Sequence, residues 1–187
     1  MTIGIDISQL AYSNTGVANY LKNLLTHLLE IDTKNQYILF FSSLRGTMPN
    51  LDIKNKNVTI KKFKFPPTFL NILWNNLHII PIENFIGDVD IFISSDWTEP
   101  PTKKAKKVTI LYDLIIYKYP EETHNETELI LSGLRISPNI VSSQKRKLAW
   151  VKKETEKTLC ISEATKKDAM EILGIEEKKL EVINTGI

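Results

Sequence analysis

The chain predicts an α/β fold: a Rossmann-like, doubly wound and mostly parallel sheet with helices on both faces. Three observations carry this. Short β-branched runs recur along the sequence, stretches with helical spacing separate them, and the runs are apolar throughout rather than alternating. A strand apolar on both faces belongs inside a parallel sheet covered on both sides.

The elements follow in order. Ile3-Gly4-Ile5-Asp6-Ile7 is a strand that leads into a polar loop. Val17, Tyr20, Leu21, Leu24, Leu25, Leu28 and Ile31 then recur at three- and four-residue spacing, a helix with its cap among Ser13, Asn14 and Thr15. Tyr37-Ile38-Leu39-Phe40-Phe41 is too short for a helix and reads as a strand buried on both faces. Val58-Thr59-Ile60 is a shorter strand, and residues 69–85 are apolar and helix-like with an interruption at Pro81. Strands are expected at residues 89–93 and 107–111. A long polar segment follows, turning helical by about Ser142. Thr158-Leu159-Cys160-Ile161 is a strand, and residues 162–173 form a helix with Ser162 as N-cap and Gly174 as its stop. Leu180-Glu181-Val182-Ile183 is the last strand.

The 187 residues suit one domain, and 42% hydrophobic with 25% charged residues is an ordinary globular composition. No stretch reaches the ~20 apolar residues that span a bilayer. The start carries no basic region followed by an apolar one, so no secretory signal is read. Cys160 is the only cysteine, which excludes an internal disulfide and a cysteine-based zinc cluster. A cytoplasmic location is the expectation. The sequons at Asn57 and Asn125 are then chance matches. Net charge is +2, clustered at residues 54–64, 103–107 and 145–157. Arg45, Arg135 and Arg146 are the only arginines, so nucleic acid is not an expected partner. Lysine clusters are ordinarily solvated surface. Lys61-Lys62-Phe63-Lys64-Phe65 suits either a membrane-surface contact, at the inner face of the membrane, or an edge strand with lysine gatekeepers.

In an open α/β sheet, ligands bind outside the carboxyl ends of the strands. That rule selects four loops, at residues 8–16, 94–101, 112–121 and 162–165. In the first, Asn14, Thr15 and Gly16 precede a helix start, where backbone N–H groups and the missing Cβ of Gly16 can receive a phosphate; Gly16 is equally an ordinary turn residue. Neither GxGxxG nor GxxxxGK[ST] is present. In the second, Asp96, Trp97 and Glu99 offer carboxylates and an aromatic face, which suit a sugar; a turn with Trp97 packed over the core is the alternative. Asp113, after Tyr112, either orients an acceptor hydroxyl or caps the next turn. His27, His78 and His124 do not cluster, so no metal is expected, and Cys160 reads as a small core residue.

At these residues the chain resembles the N-terminal domain of family 4 (group 1) retaining glycosyltransferases of the two-Rossmann (GT-B) architecture. Asn14-Thr15-Gly16-Val17-Ala18-Asn19-Tyr20 is similar to the family's "TGIGRY". The stretch from Trp74 to Asp88-Val89-Asp90 is similar to its "W…LP…D-V" segment. Val108-Thr109-Ile110-Leu111-Tyr112-Asp113-Leu114, then Tyr119-Pro120-Glu121, is similar to "HDL…FPE". Ile161-Ser162-Glu163-Ala164-Thr165-Lys166-Lys167-Asp168 is similar to "VSE-x-[ST]-K-x-D". Residues 180–187 are similar to the hinge into the donor domain.

The resemblance implies that this chain is the acceptor-side half of an enzyme moving a sugar from a UDP- or GDP-sugar. No metal or other cofactor is implied, and the donor-binding C-terminal domain would follow residue 187, fused or separate. It places Asn14, Thr15 and Gly16 near the donor diphosphate, and Tyr112 and Asp113 at the family's His-Asp position facing the reacting sugar. Ser162 and Glu163 fall at the cleft rim, where with Asp96 and Trp97 they would meet a sugar, glycan or lipid-linked acceptor. Ala18 replaces the second glycine of the motif, Asn19 its arginine, and Tyr112 the histidine. A phenol with a reference pKa of ~10 carries protons poorly at neutral pH. The alternatives are a non-catalytic carbohydrate-binding or scaffold module and the acceptor subunit of a split transferase.

Overall fold

The computed structural model describes residues 1–51, 53, 55–120, 130–131, 134–135 and 140–184. Seven parallel strands form one sheet: β1 (Thr2–Asp6), β2 (Gln36–Ser42), β3 (Val58–Phe63), β4 (Ile91–Ser94), β5 (Lys106–Leu111), β8 (Lys157–Cys160) and β9 (Leu180–Val182). Their spatial order is β3-β2-β1-β4-β5-β8-β9. A two-residue antiparallel pair, β6 (Ile130–Leu131) and β7 (Leu134–Arg135), stands apart from the sheet. The order runs outward from β1 to β3, then restarts on the other side of β1 at β4. That reversal makes the gap between the β1 and β4 ends the topological switch point of a Rossmann-like fold.

One face of the sheet is covered by α1 (Gly16–Ile31), whose Leu21, Leu25 and Leu29 pack on Ile5, Tyr37 and Leu39. The predicted apolar stripe is correct except at its end, where Ile31 is exposed. The other face carries two further clusters. Leu70, Leu73, Trp74, Ile82 and Ile86 lie over Phe40 and Phe92. Leu148 and Val151 of α5 (Ile140–Glu154), with Ala169 of α6 (Glu163–Glu171), lie over Leu111, Cys160 and Leu180. Cys160 is fully buried, and burial pushes its thiol up to about 11. α6 is capped as predicted: Ser162 Oγ accepts from Thr165 N at 3.1 Å, and Gly174 leaves the helix at φ 64°.

Two expectations are corrected. Residues 69–85 are not one interrupted helix. A four-residue α2 (Pro67–Leu70) runs into a π-helical turn (Asn71–Asn76), the chain leaves helical geometry, and a short α3 (Glu83–Ile86) follows. Pro81 causes the break, because proline disfavours α geometry at the residue before it, and Ile80 takes φ 58°. β3 runs past Ile60 through the lysines to Phe63. As an edge strand it can keep Lys62 in water while Phe63 and Phe65 stack at 5.5 Å, inside an aromatic cluster with Phe85. The gatekeeper reading of this lysine run is the one the packing supports.

Candidate functional site at the carboxyl rim

The four loops selected from sequence follow β1, β4, β5 and β8, which are consecutive neighbours in the sheet. They therefore line one edge, with the switch point between the first two. Contacts bind them together. Trp97 Nε1 donates to Gln9 Oε1 at 2.7 Å across the switch point. Ser95 Oγ and Tyr112 OH are 3.2 Å apart, and Thr165 Oγ1 donates to Tyr112 O at 3.1 Å. Glu121, His124 and the sequon at Asn125 lie outside the described residues, as do Thr185, Gly186 and Ile187.

In the first loop Thr15 caps α1, its Oγ1 accepting from Ala18 N at 3.2 Å and donating to Tyr12 O at 3.0 Å. Asn14, Thr15 and Gly16 are all exposed. A Cβ built on Gly16 would meet nothing within 4 Å, and its φ is not in the left-handed region. Neither packing nor backbone geometry requires glycine there, so the space above it is open to a ligand. The first amides of a helix have no intrahelical partner and carry the positive end of its dipole. The side-chain cap occupies only Ala18's.

The loop after β4 is anchored from below. Lys147 of α5, 2% exposed, donates from Nζ to Ser95 O at 2.8 Å. Burial pushes its ammonium below the usual lysine range, while Asp96, Glu99, Asp6 and Asp113 pull it back up. Asp96 itself is half-buried, and burial holds its carboxyl above the usual carboxylate range; Lys147 lowers it and Asp113 raises it. Among the described residues its carboxylate has no hydrogen bond, whereas its carbonyl accepts from Gln144 Nε2 at 3.3 Å. Trp97 is 42% exposed and tied by its indole N–H, so it faces the crevice rather than covering core. An indole face beside an unclaimed carboxylate suits a polyol, which presents C–H faces and hydroxyl donors.

Glu99, expected beside them, is not available. It is 0% exposed. Its Oε2 accepts from Ser94 Oγ at 2.6 Å and Thr109 Oγ1 at 3.0 Å, and its Oε1 lies 3.1 Å from Lys107 Nζ. Lys107 also reaches Glu154 Oε2 at 2.9 Å, and Glu154 faces His78 Nε2 at 3.0 Å. This buried chain of charge fixes the base of the loop. Glu99 belongs to the scaffold because strand periodicity cannot say which way a loop residue turns.

Tyr112 and Asp113 also stand differently from the role the resemblance implies. Tyr112 is 6% exposed, lies edge-on to Tyr20 with centroids 5.6 Å apart, and has its hydroxyl on Ser95. Burial raises its phenol far above the ordinary range. Asp113 is exposed, and its Oδ1 accepts from Ile115 N at 3.0 Å, closing the turn that leads into α4 (Ile115–Lys118). Ser162 is spent as the α6 cap, whereas Glu163 is exposed in its first turn.

Two depressions lie away from this rim. One of about 780 Å³ sits beside α1, lined by Leu25, Leu29, Leu51, Ile53 and Asn55. Another of about 560 Å³ opens at the amino ends of the strands near Thr2 and Asp90. Among the described residues no group of three or more His, Cys, Asp or Glu could hold a metal ion, and no helix is long and apolar enough to cross a membrane.

Lys147, Lys107, Gln9 and Ser95 were not singled out from sequence. Helix spacing held a signal for the first. Val141, Leu148 and Val151 place position 147 on the buried face of α5, so its lysine needed acceptors inside the protein.

No family model matches the chain, and no curated protein is similar to it. Among solved structures, the chain is similar to a short-chain dehydrogenase/reductase from Veillonella parvula DSM 2008, at 12% identity over 85% of this chain and 67% of that chain, with a TM-score of 0.42.

Proposed function

We propose that this chain is the acceptor-side half of a two-domain, retaining glycosyltransferase that uses a UDP- or GDP-sugar. The observation that carries the reading is the joined rim. The loop that leads to the open helix start at Gly16 is tied through Gln9 to Trp97, the neighbour of Asp96, across one switch point. The helix start suits the donor diphosphate, with its dipole and free amides. Asp96 and Trp97 suit the sugar acceptor. The protein's part in the reaction is positioning and stabilisation of the leaving diphosphate, with the acceptor proton passing to that diphosphate on the same face. A donor-binding domain, fused or separate, supplies the opposite wall, and the chain alone turns over nothing measurable.

The burial of Tyr112 favours a second reading, a carbohydrate-binding module without catalysis. A phenol enclosed by Ser95 and Tyr20 positions the loop after β4 and does not carry protons. Saturation-transfer NMR with UDP-glucose, GDP-mannose and neutral oligosaccharides separates the two. Under the transferase reading, nucleotide-sugar signals appear and vanish in Gly16→Val, whose melting temperature is unchanged. Sugar signals lost in Asp96→Asn and Trp97→Ala, with none from either nucleotide sugar, support the module. Silence from every ligand rejects both.

A further inference from the structure

Phe69, Ile72, Leu77, Ile79 and Ile80 are each between 41% and 59% exposed, five large apolar side chains within twelve residues. Contiguous exposed apolar surface of this kind marks an interaction site. The backbone joins them: Leu77 N donates to Ile72 O at 2.9 Å, and Ile79 N to Leu73 O at 3.1 Å. His78 and Ile80 both hold positive φ, at 52° and 58°, which a β-branched residue rarely adopts. The segment is nevertheless pinned. Trp74 Nε1 donates to Ile80 O at 3.0 Å, and the His78 ring stacks on Trp150 with centroids 3.7 Å apart. The chain is thus held in a strained shape that turns Leu77, Ile79 and Ile80 outward.

Lysines border this ledge. Lys64 is exposed next to Phe65, which packs on Phe69 at 5.4 Å. Lys153 Nζ sits 4.8 Å over the Trp150 ring that His78 covers. Lys103 is exposed beyond Pro101, whose carbonyl accepts from Ile82 N. Between residues 61 and 87 the sole acid is Glu83, which is 5% exposed and whose Oε1 accepts from the amides of residues 103–105.

We propose that residues 69–80 and their bordering lysines dock this chain on an anionic lipid bilayer. Apolar side chains on a basic surface gain both acyl burial and attraction to anionic headgroups. A second copy of the same face would set lysine against lysine, because a two-fold contact meets itself. The surface shares only Lys64 with the aromatic-basic stretch at residues 61–65, whose phenylalanines pack against the core, and it does not depend on the transferase reading.

Co-sedimentation with phosphatidylcholine vesicles, with and without phosphatidylglycerol, tests this. The wild-type chain should bind the anionic vesicles and lose binding in high salt. Leu77→Glu with Ile79→Glu should weaken it by about tenfold or more, as should Lys64→Glu with Lys103→Glu. Lys22→Glu with Lys34→Glu, charge-matched on the opposite face, should leave it unchanged. Hydrogen exchange of the wild-type chain on vesicles, which needs no variant, should show added protection at residues 69–80. Three results would overturn the proposal: no binding to anionic vesicles, equal loss in the Lys22 and Lys34 control, or a salt-resistant dimer that Leu77→Glu dissolves.

Discussion

The two loops that flank the switch point are built on opposite terms. The loop after β4 stands on a buried network in which Glu99, Ser94, Thr109 and Lys107 hold one another, while Lys147 holds the Ser95 carbonyl. The loop after β1 is held by short-range bonds at its helix cap and by the indole of Trp97, and it leaves Asn14 and Gly16 in open space. Charge in the first is already spent on structure, whereas donors in the second are unspent. A functional side chain at this rim is one the fold has not claimed. That criterion favours Asn14, the Asp96 carboxylate and the exposed ring face of Trp97, with the backbone at Gly16, over the equally polar Glu99, Tyr112 and Ser162.

The contrast breaks most readily at its buried end. Glu99→Ala removes one carboxylate from a buried ion pair and takes an acceptor from Ser94 and Thr109, which keep only each other, and should cost about 3 kcal/mol in urea unfolding. A loss under about 1 kcal/mol would mean the network does not hold. Trp97→Ala should cost about 1 kcal/mol, since it leaves the Gln9 amide oxygen without its donor while most of the ring's role is at the surface.

Asp6, 6% exposed at the end of β1, sharpens the comparison through pH. Burial raises its carboxyl above the ordinary value of 3.8, against hydrogen bonds from Ser8 and the charge of Lys147. The folded state therefore favours the protonated form. Its contribution to stability is greatest at low pH and falls as pH climbs from 3.8 through the raised folded value. Asp6→Asn, which cannot ionise, should gain on the wild type across that window and show a constant offset below it. An offset flat with pH would contradict the burial argument. Smallest of all, Gly16→Ala should change stability by no more than about 0.5 kcal/mol, because nothing surrounds the added methyl.

Much of this fold was legible because its strands are apolar and short and its helices carry explicit stops. Thr15, Ser162 and Gly174 took their expected places. The rim loops were legible for the same reason, since they need only strand ends and the rule that ligands gather there. What could not be read was the allotment of polar groups within a loop. Asp96 and Glu99 are three residues apart, yet one stays half-buried at the rim and the other is enclosed against an ammonium supplied by β5. Partners distant in sequence decided that, as they decided the burial of Lys147. The break at residues 77–82 was half legible: Pro81 marked it, but the left-handed residues on its near side follow from the pinning at Trp74 and Trp150.

The most direct test of the central claim is an amide NMR titration of the ¹⁵N-labelled chain with a nucleotide sugar and then a neutral oligosaccharide. The claim predicts shifts confined to residues 14–18 for the first, and to Asp96, Trp97 and their neighbours for the second. Shifts gathered instead around Leu25, Leu29 and Leu51, in the groove beside α1, would show that the rim is not where this protein meets its ligand.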